Sequence, residues 1–215
     1  MLHPDRDVRD VTEEWWRRAI DLAAQMGAGA MGGPLGATSA AGRAVPGLRE
    51  ETTERMHRLA EHARSCGLQA LLIEPTPLRR EWPHTPDELR ELLGLTAQTA
   101  VTWRVVLDLG HALMTPLYGA QADLQSWLTV SGERLHGLHL QQTDGQADRH
   151  WDFSQGGVVK LQDVHAALSA ANLAGRPAVL EVFYPFEADD DAVWRTLSRS
   201  TILAKSVWDA ARMNL

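Results

Sequence analysis

Four residues able to hold a cation or move a proton stand where short apolar runs end. Glu74 follows Leu71-Leu72-Ile73, Asp108 follows Val105-Val106-Leu107, His139 sits in Leu138-His139-Leu140, and Glu181 follows Ala178-Val179-Leu180. Three carboxylates and one imidazole make a hard, oxygen-rich donor set that suits Mn²⁺, Mg²⁺ or Co²⁺ better than a thiolate-preferring metal. Three carboxylates buried without a counter-ion are costly, and a divalent cation compensates them. Any one of these acids, taken alone, reads as a polar strand end that meets solvent or caps a helix. The recurrence of the pattern at four ends favours a common centre.

The elements that must position these residues alternate. Helix periodicity covers about Thr12 to Met26, with Trp16, Ile20 and Ala23 on one face and Glu13 and Glu14 near the start. A glycine-laden strand follows at Gly27 to Gly32, then a helix from Glu50 to Cys66 that stops at Gly67, and the apolar run Leu68 to Ile73. Thr85-Pro86-Asp87-Glu88 is a capping box with proline at the first helical position, opening a helix through Leu89, Leu92 and Leu93. Arg104 to Leu107 reads as the next strand, followed by a helix around Ala122 to Val130, a strand from Leu135 to Leu140, a helix from Gln162 to Asn172, and the strand Ala178 to Leu180. The last segment, Asp190 to Met213, opens on acids and repeats apolar residues at helical spacing. This βα alternation predicts an α/β fold of parallel strands with helical crossovers, either an open doubly wound sheet or a (β/α) barrel. In both, the carboxyl ends of the strands share one face, and that face holds the site.

Composition narrows the function classes. The chain has 215 residues, 21 basic against 28 acidic side chains and a formal charge of −7, with 44% hydrophobic residues. That suits one packed domain and gives no electrostatic footprint for phosphodiester backbones, so nucleic acid is not an expected partner. No apolar run approaches the ~20 residues of a bilayer span, so no membrane partner is expected either. The amino-terminal Met1-Leu2-His3-Pro4-Asp5 lacks the order of a secretory signal. The single cysteine, Cys66, excludes an internal disulfide framework and thiolate clusters, pointing to a reducing, cytoplasmic setting. Met31-Gly32-Gly33-Pro34-Leu35-Gly36 matches neither a dinucleotide fingerprint nor a phosphate loop.

The segments Leu72-Ile73-Glu74-Pro75, Val106-Leu107-Asp108-Leu109-Gly110-His111, Leu138-His139-Leu140 through Asp144-Gly145 to Arg149-His150, and Leu180-Glu181-Val182 resemble the xylose isomerase-like sugar phosphate isomerase/epimerase superfamily. Ketose 3-epimerases and tetrulose-phosphate epimerases look most similar. The resemblance implies a (β/α)₈ TIM barrel holding one divalent ion, Mn²⁺ first with Mg²⁺ or Co²⁺ as alternatives, through Glu74, Asp108, His139 and Glu181. It implies that Glu74 and Glu181 also act as the catalytic acid and base. His111, Arg149 and His150 would contact substrate hydroxyls or phosphate, and Glu81 would lie close to Glu74 and assist proton movement. The expected substrate is a small sugar or sugar phosphate, epimerised or isomerised through an enediolate. Two other readings are a metal-dependent phosphodiesterase resembling apurinic endonucleases, and a metal-free scaffold.

A full barrel has eight strands, and five are legible here. The pattern therefore reads as a partial barrel, one domain over 1–215 carrying strands four to eight and lacking three amino-terminal βα units. Its two unpaired parallel edges would expose apolar surface, which is expected either of a fragment or truncated gene product or of a subunit that closes only by association, a homo-oligomer among the options. His3, His57, His62, His84, His136 and His165 read as surface or helix-face residues, and Cys66 as inert.

Overall fold

The structure is a computed structural model that describes residues 1–39, 42 and 45–212. The chain divides into two compact units, Met1–Val106 and Leu107–Leu215.

In the first unit, β1 (Ala30–Gly33), β2 (Ala70–Ile73) and β3 (Thr102–Asp108, whose last two residues belong to the second unit) run parallel. The register places Gly32 opposite Leu72 and Leu72 opposite Arg104. The helices are α1 (Arg6–Gln25), α2 (Leu48–Ser65) and α3 (Pro86–Leu95). Ile20, Met56, Leu59, Leu71, Ile73, Leu92 and Trp103 are buried in one apolar cluster. Trp16 packs on Trp103 with ring centroids 5.9 Å apart.

α1 begins one and a half turns before the apolar periodicity does. Asp5 caps it, accepting from the Asp7 amide at 2.9 Å. The early turns were hidden from the hydrophobic pattern because their inward residue is Arg9. Its guanidinium is buried by donating to the carbonyls of His3 and Pro4 and to the Glu51 carboxylate. A second buried arginine, Arg55 of α2, reaches Asp10 and Glu13 of α1 and Glu51 of its own helix. Charge pairing, not apolar contact, thus joins these helices at one end.

The capping box at α3 forms with a shift of one residue. Thr85 accepts from the Glu88 amide at 3.2 Å, while Glu88 accepts from the amide of His84, not of Thr85. His84, expected at the surface, is instead buried with Nδ1 2.7 Å from Glu88 Oε2, because the helix-start carboxylate draws it inward.

In the second unit, β4 (Leu135–Leu140) and β5 (Ala178–Leu180) pair in parallel, His139 opposite Val179. Two single-turn helices, α4 (Leu109–Ala112) and α5 (Thr115–Tyr118), follow β3 where sequence periodicity is too short to register. Then come α6 (Leu124–Ser131), α7 (Leu161–Ala170) and α8 (Asp190–Arg212). Met213, included in the expected last helix, lies outside the described residues. No helix among the described residues is long and apolar enough to cross a membrane.

Candidate metal centre

Asp108, His139 and Glu181 stand at the ends of β3, β4 and β5, and their ligand atoms lie within 4.8 Å of one another. His139 is the penultimate residue of β4. Glu181 directly follows β5, held there by its amide donating to the Leu140 carbonyl at 3.0 Å. His139 Nδ1 is 2.6 Å from Glu181 Oε2.

Asp108 is 0% exposed and does two jobs. As the N-cap of α4 it accepts from the His111 amide through Oδ1 at 2.9 Å, and Gln141 Nε2 donates to the same oxygen at 2.8 Å. Its Oδ2 is buried with no hydrogen-bond partner among the described residues. A buried carboxylate oxygen left without a donor is costly, and cation coordination answers that cost. The imidazole of His139 and the carboxylates of Asp108 and Glu181 make a donor set that fits a hard divalent ion.

A second cluster lies beside the first. His111 Nε2 is 3.3 Å from Asp148 Oδ2, and His150 Nε2 is 3.0 Å from Asp148 Oδ1. Gln141 Nε2 also donates to Asp148 Oδ1 at 3.1 Å, while Gln141 Oε1 accepts the His150 amide at 2.6 Å. That leaves the Gln141 amide bridging Asp108 and Asp148. Gly110 makes room for it, since a Cβ there would lie 2.4 Å from the Gln141 amide carbon. His150 adopts a left-handed backbone, φ 50°, with its ring stacked on Phe183 at 4.1 Å and Nδ1 3.1 Å from the Glu181 carbonyl. Strain of this kind persists where surroundings over-determine it.

Burial alone would raise the Asp148 pKa, but the His111 hydrogen bond and charge, the Gln141 amide and the His150 charge outweigh it and hold the carboxyl at about 2. The lowered value stabilises the fold above the ordinary 3.8, and that contribution is lost as pH falls from about 4 towards about 2. With the side chain 39% exposed, solvent screening limits the effect to about 1 kcal/mol. Acid titration followed by thermal melting should show a shallower loss of stability below pH ~4 in Asp148→Asn than in the parent. Equal slopes would mean that the carboxylate is not held low.

The other expected site residues are placed as follows. Glu74 directly follows β2 in the first unit, half-buried, with its amide donating to the Gly33 carbonyl at 3.3 Å. Glu81, in the same unit, accepts from the Thr76 hydroxyl. Arg149 turns to Asp144, with Nη2 2.9 Å from its carboxylate, and lies over the Trp151 ring at 5.3 Å. Asp148 and Gln141 were missed by sequence reasoning. Both carried a signal: Asp148 adjoins Arg149-His150 within a quoted motif, and Gln141 is two residues beyond His139, where strand alternation returns a side chain to the same face.

Parallel strands whose carboxyl ends present ligating side chains define an α/β protein of the barrel or doubly wound class. The chain belongs to the xylose isomerase-like TIM barrel family, whose model matches residues 1–200. The partial-barrel expectation is met by five strands, each parallel to its paired neighbour within its unit. The chain is similar to a Rhodospirillum rubrum protein provisionally assigned as a xylose isomerase, at 35% identity and a TM-score of 0.89 over 95% of this chain and 71% of that one. It is 25% identical over 158 residues to D-erythrulose 1-phosphate 3-epimerase of Brucella abortus, 71% of this chain and 51% of that protein. The chain thus spans about half the length of that curated relative. D-psicose 3-epimerase of Clostridium cellulolyticum shares the fold, with a TM-score of 0.72 at 16% identity over 95% of this chain and 73% of that one.

Proposed function

We propose that the chain is a divalent-metal-dependent epimerase or isomerase of a ketose or ketose phosphate, acting by proton removal and return at carbon beside the carbonyl. The observation that carries this reading is Asp108, grouped with His139 and Glu181, whose buried Oδ2 has no hydrogen-bond partner among the described residues. On this reading Asp108, His139 and Glu181 hold the ion, with Glu74 assigned as fourth ligand from its strand-end place in the sequence. An ion held there, Mn²⁺ by preference, would supply positive charge to the oxygen that turns negative when the proton leaves.

Glu181 and Glu74 serve as the proton-transfer pair. A carboxylate on one side of the planar enediolate and a carboxylic acid on the other inverts the carbon, whereas one group performing both transfers exchanges aldose and ketose. Glu81 is assigned to proton movement beside Glu74. His111 and Arg149 are assigned to substrate hydroxyls or phosphate, Arg149 by exchanging Asp144 for the ligand. His150 is assigned to the same substrate groups; its ring nitrogens lie 3.1 Å from the Glu181 carbonyl and 3.0 Å from Asp148, which it would exchange for the ligand. The similarity to an erythrulose-phosphate epimerase supports a phosphorylated tetrulose as the first substrate to test.

The test is deuterium uptake from D₂O into free and phosphorylated tetruloses, pentuloses and hexuloses in the presence of Mn²⁺, read by NMR. Label at carbon 3 with inversion supports epimerisation, and label at carbon 1 or 2 with aldose formation supports isomerisation. Glu181→Gln should abolish either. Absence of label from every sugar, in protein whose melting temperature Mn²⁺ raises, overturns the sugar chemistry.

A further inference from the structure

We propose that Asp21, His62 and Cys66 form a second metal site, on the helices of the first unit, for a borderline-soft divalent ion such as Zn²⁺. Asp21 comes from α1, while His62 and Cys66 come from the last turn of α2 and its C-cap. Four residues apart on one helix, an imidazole and a thiol lie on the same face. Asp21 closes the third side from the neighbouring helix.

The distances fit one ion. His62 Nε2 is 2.8 Å from Asp21 Oδ1, Cys66 Sγ is 3.3 Å from the same oxygen, and Sγ is 3.8 Å from His62 Nε2. In a tetrahedral site with bonds of about 2.0–2.3 Å, ligand atoms are roughly 3.3–3.6 Å apart. Each contact is within about half an ångström of that spacing, so small side-chain rotations complete the site. Asp21 is 47% and His62 23% exposed at the side chain, and Cys66 is half-buried, so an ion has a path in and water can take the fourth position.

The donor chemistry differs from that of the strand ends. One sulfur, one nitrogen and one oxygen select Zn²⁺ or Co²⁺ over Mn²⁺ and Mg²⁺. On binding, the Cys66 S–H bond breaks, its proton passes to solvent, and a metal–sulfur bond replaces the thiol's hydrogen bond to Asp21. His62 offers the Nε2 lone pair with its proton on Nδ1. Without an ion, burial and then the hydrogen bond to Asp21 push the Cys66 thiol up. Binding therefore releases a proton and weakens in acid.

Co²⁺ is the probe, because thiolate ligation gives a sulfur-to-cobalt absorption band that oxygen and nitrogen ligands do not. The full chain should develop this band, and Glu181→Gln, with the strand-end centre impaired, should develop it with saturation at one equivalent, which separates the two sites. Cys66→Ser should lack it. Loss of even a partner that supports a metal ligand costs about 10–100-fold in affinity, so His62→Ala and Asp21→Asn should bind at least roughly tenfold more weakly. Zn²⁺ should displace the band and raise the melting temperature of the parent but raise it less in Cys66→Ser. No band in the parent, or a band of unchanged affinity in both His62→Ala and Asp21→Asn, overturns the proposal.

Discussion

Asp108→Asn is expected to leave the metal-free protein at least as stable as the parent while lowering its affinity for Mn²⁺ by about a hundredfold or more. The two effects have opposite signs for one reason. The retained oxygen of the asparagine still accepts from the His111 amide and from Gln141, so the cap of α4 survives. What disappears is the negative charge of a carboxylate whose Oδ2 is buried with no hydrogen-bond partner among the described residues. Removing an uncompensated buried charge relieves the apo fold and removes the ion's anchor. At Mn²⁺ concentrations of about 100 times the dissociation constant the parent gains about 2.7 kcal/mol. For a chain of this length that is roughly 5–10 °C in Tm. Thermal melts with and without Mn²⁺, together with isothermal titration, read both effects. A metal-free Asp108→Asn that loses several kcal/mol would show that the charge itself holds the fold together.

Trp103→Ala should cost about 3–5 kcal/mol, a loss of roughly 10 °C or more in Tm, and Trp103→Phe far less. Trp103 is 0% exposed in the cluster with Ile20, Met56, Leu59 and Leu71, against the Trp16 ring. Alanine leaves a cavity that backbone on a β-strand cannot collapse to fill. Phenylalanine keeps an aromatic surface against Trp16 and removes an indole nitrogen that has no hydrogen-bond partner among the described residues. Denaturant unfolding of the three proteins gives the comparison. Equal losses in both variants would mean that the indole edge, not ring volume, is what the core requires.

How much of this was legible in the chain depends on range. The strands Leu135–Leu140 and Ala178–Leu180 begin and end where the sequence places them: the first alternates buried leucines with half-buried histidines, and the second is a short apolar run closed by a carboxylate. The Thr85 cap was equally local. The start of α1 was not, since Arg9 faces inward by donating to the carbonyls of His3 and Pro4 and to Glu51, 42 residues away. The same holds at the site. Asp108, His139 and Glu181 announce themselves as polar residues closing apolar runs. The Asp148 cluster depends on a loop folding back over Gln141, which no periodicity encodes. His84 shows the remaining kind of miss, a ring drawn inward by a carboxylate four residues on, not by hydrophobicity.

The Gln141 amide, for which Gly110 leaves space, is one dipole donated to two acids. Its pull is divided, so whatever satisfies Asp108 from elsewhere frees the amide to bind Asp148 more tightly, and Asp148 in turn grips His111 and His150. On the proposed reading, a cation at the strand ends would therefore reach the neighbouring histidines through one shared amide. The two groups of side chains behave as a single balance, with an uncharged residue as its beam.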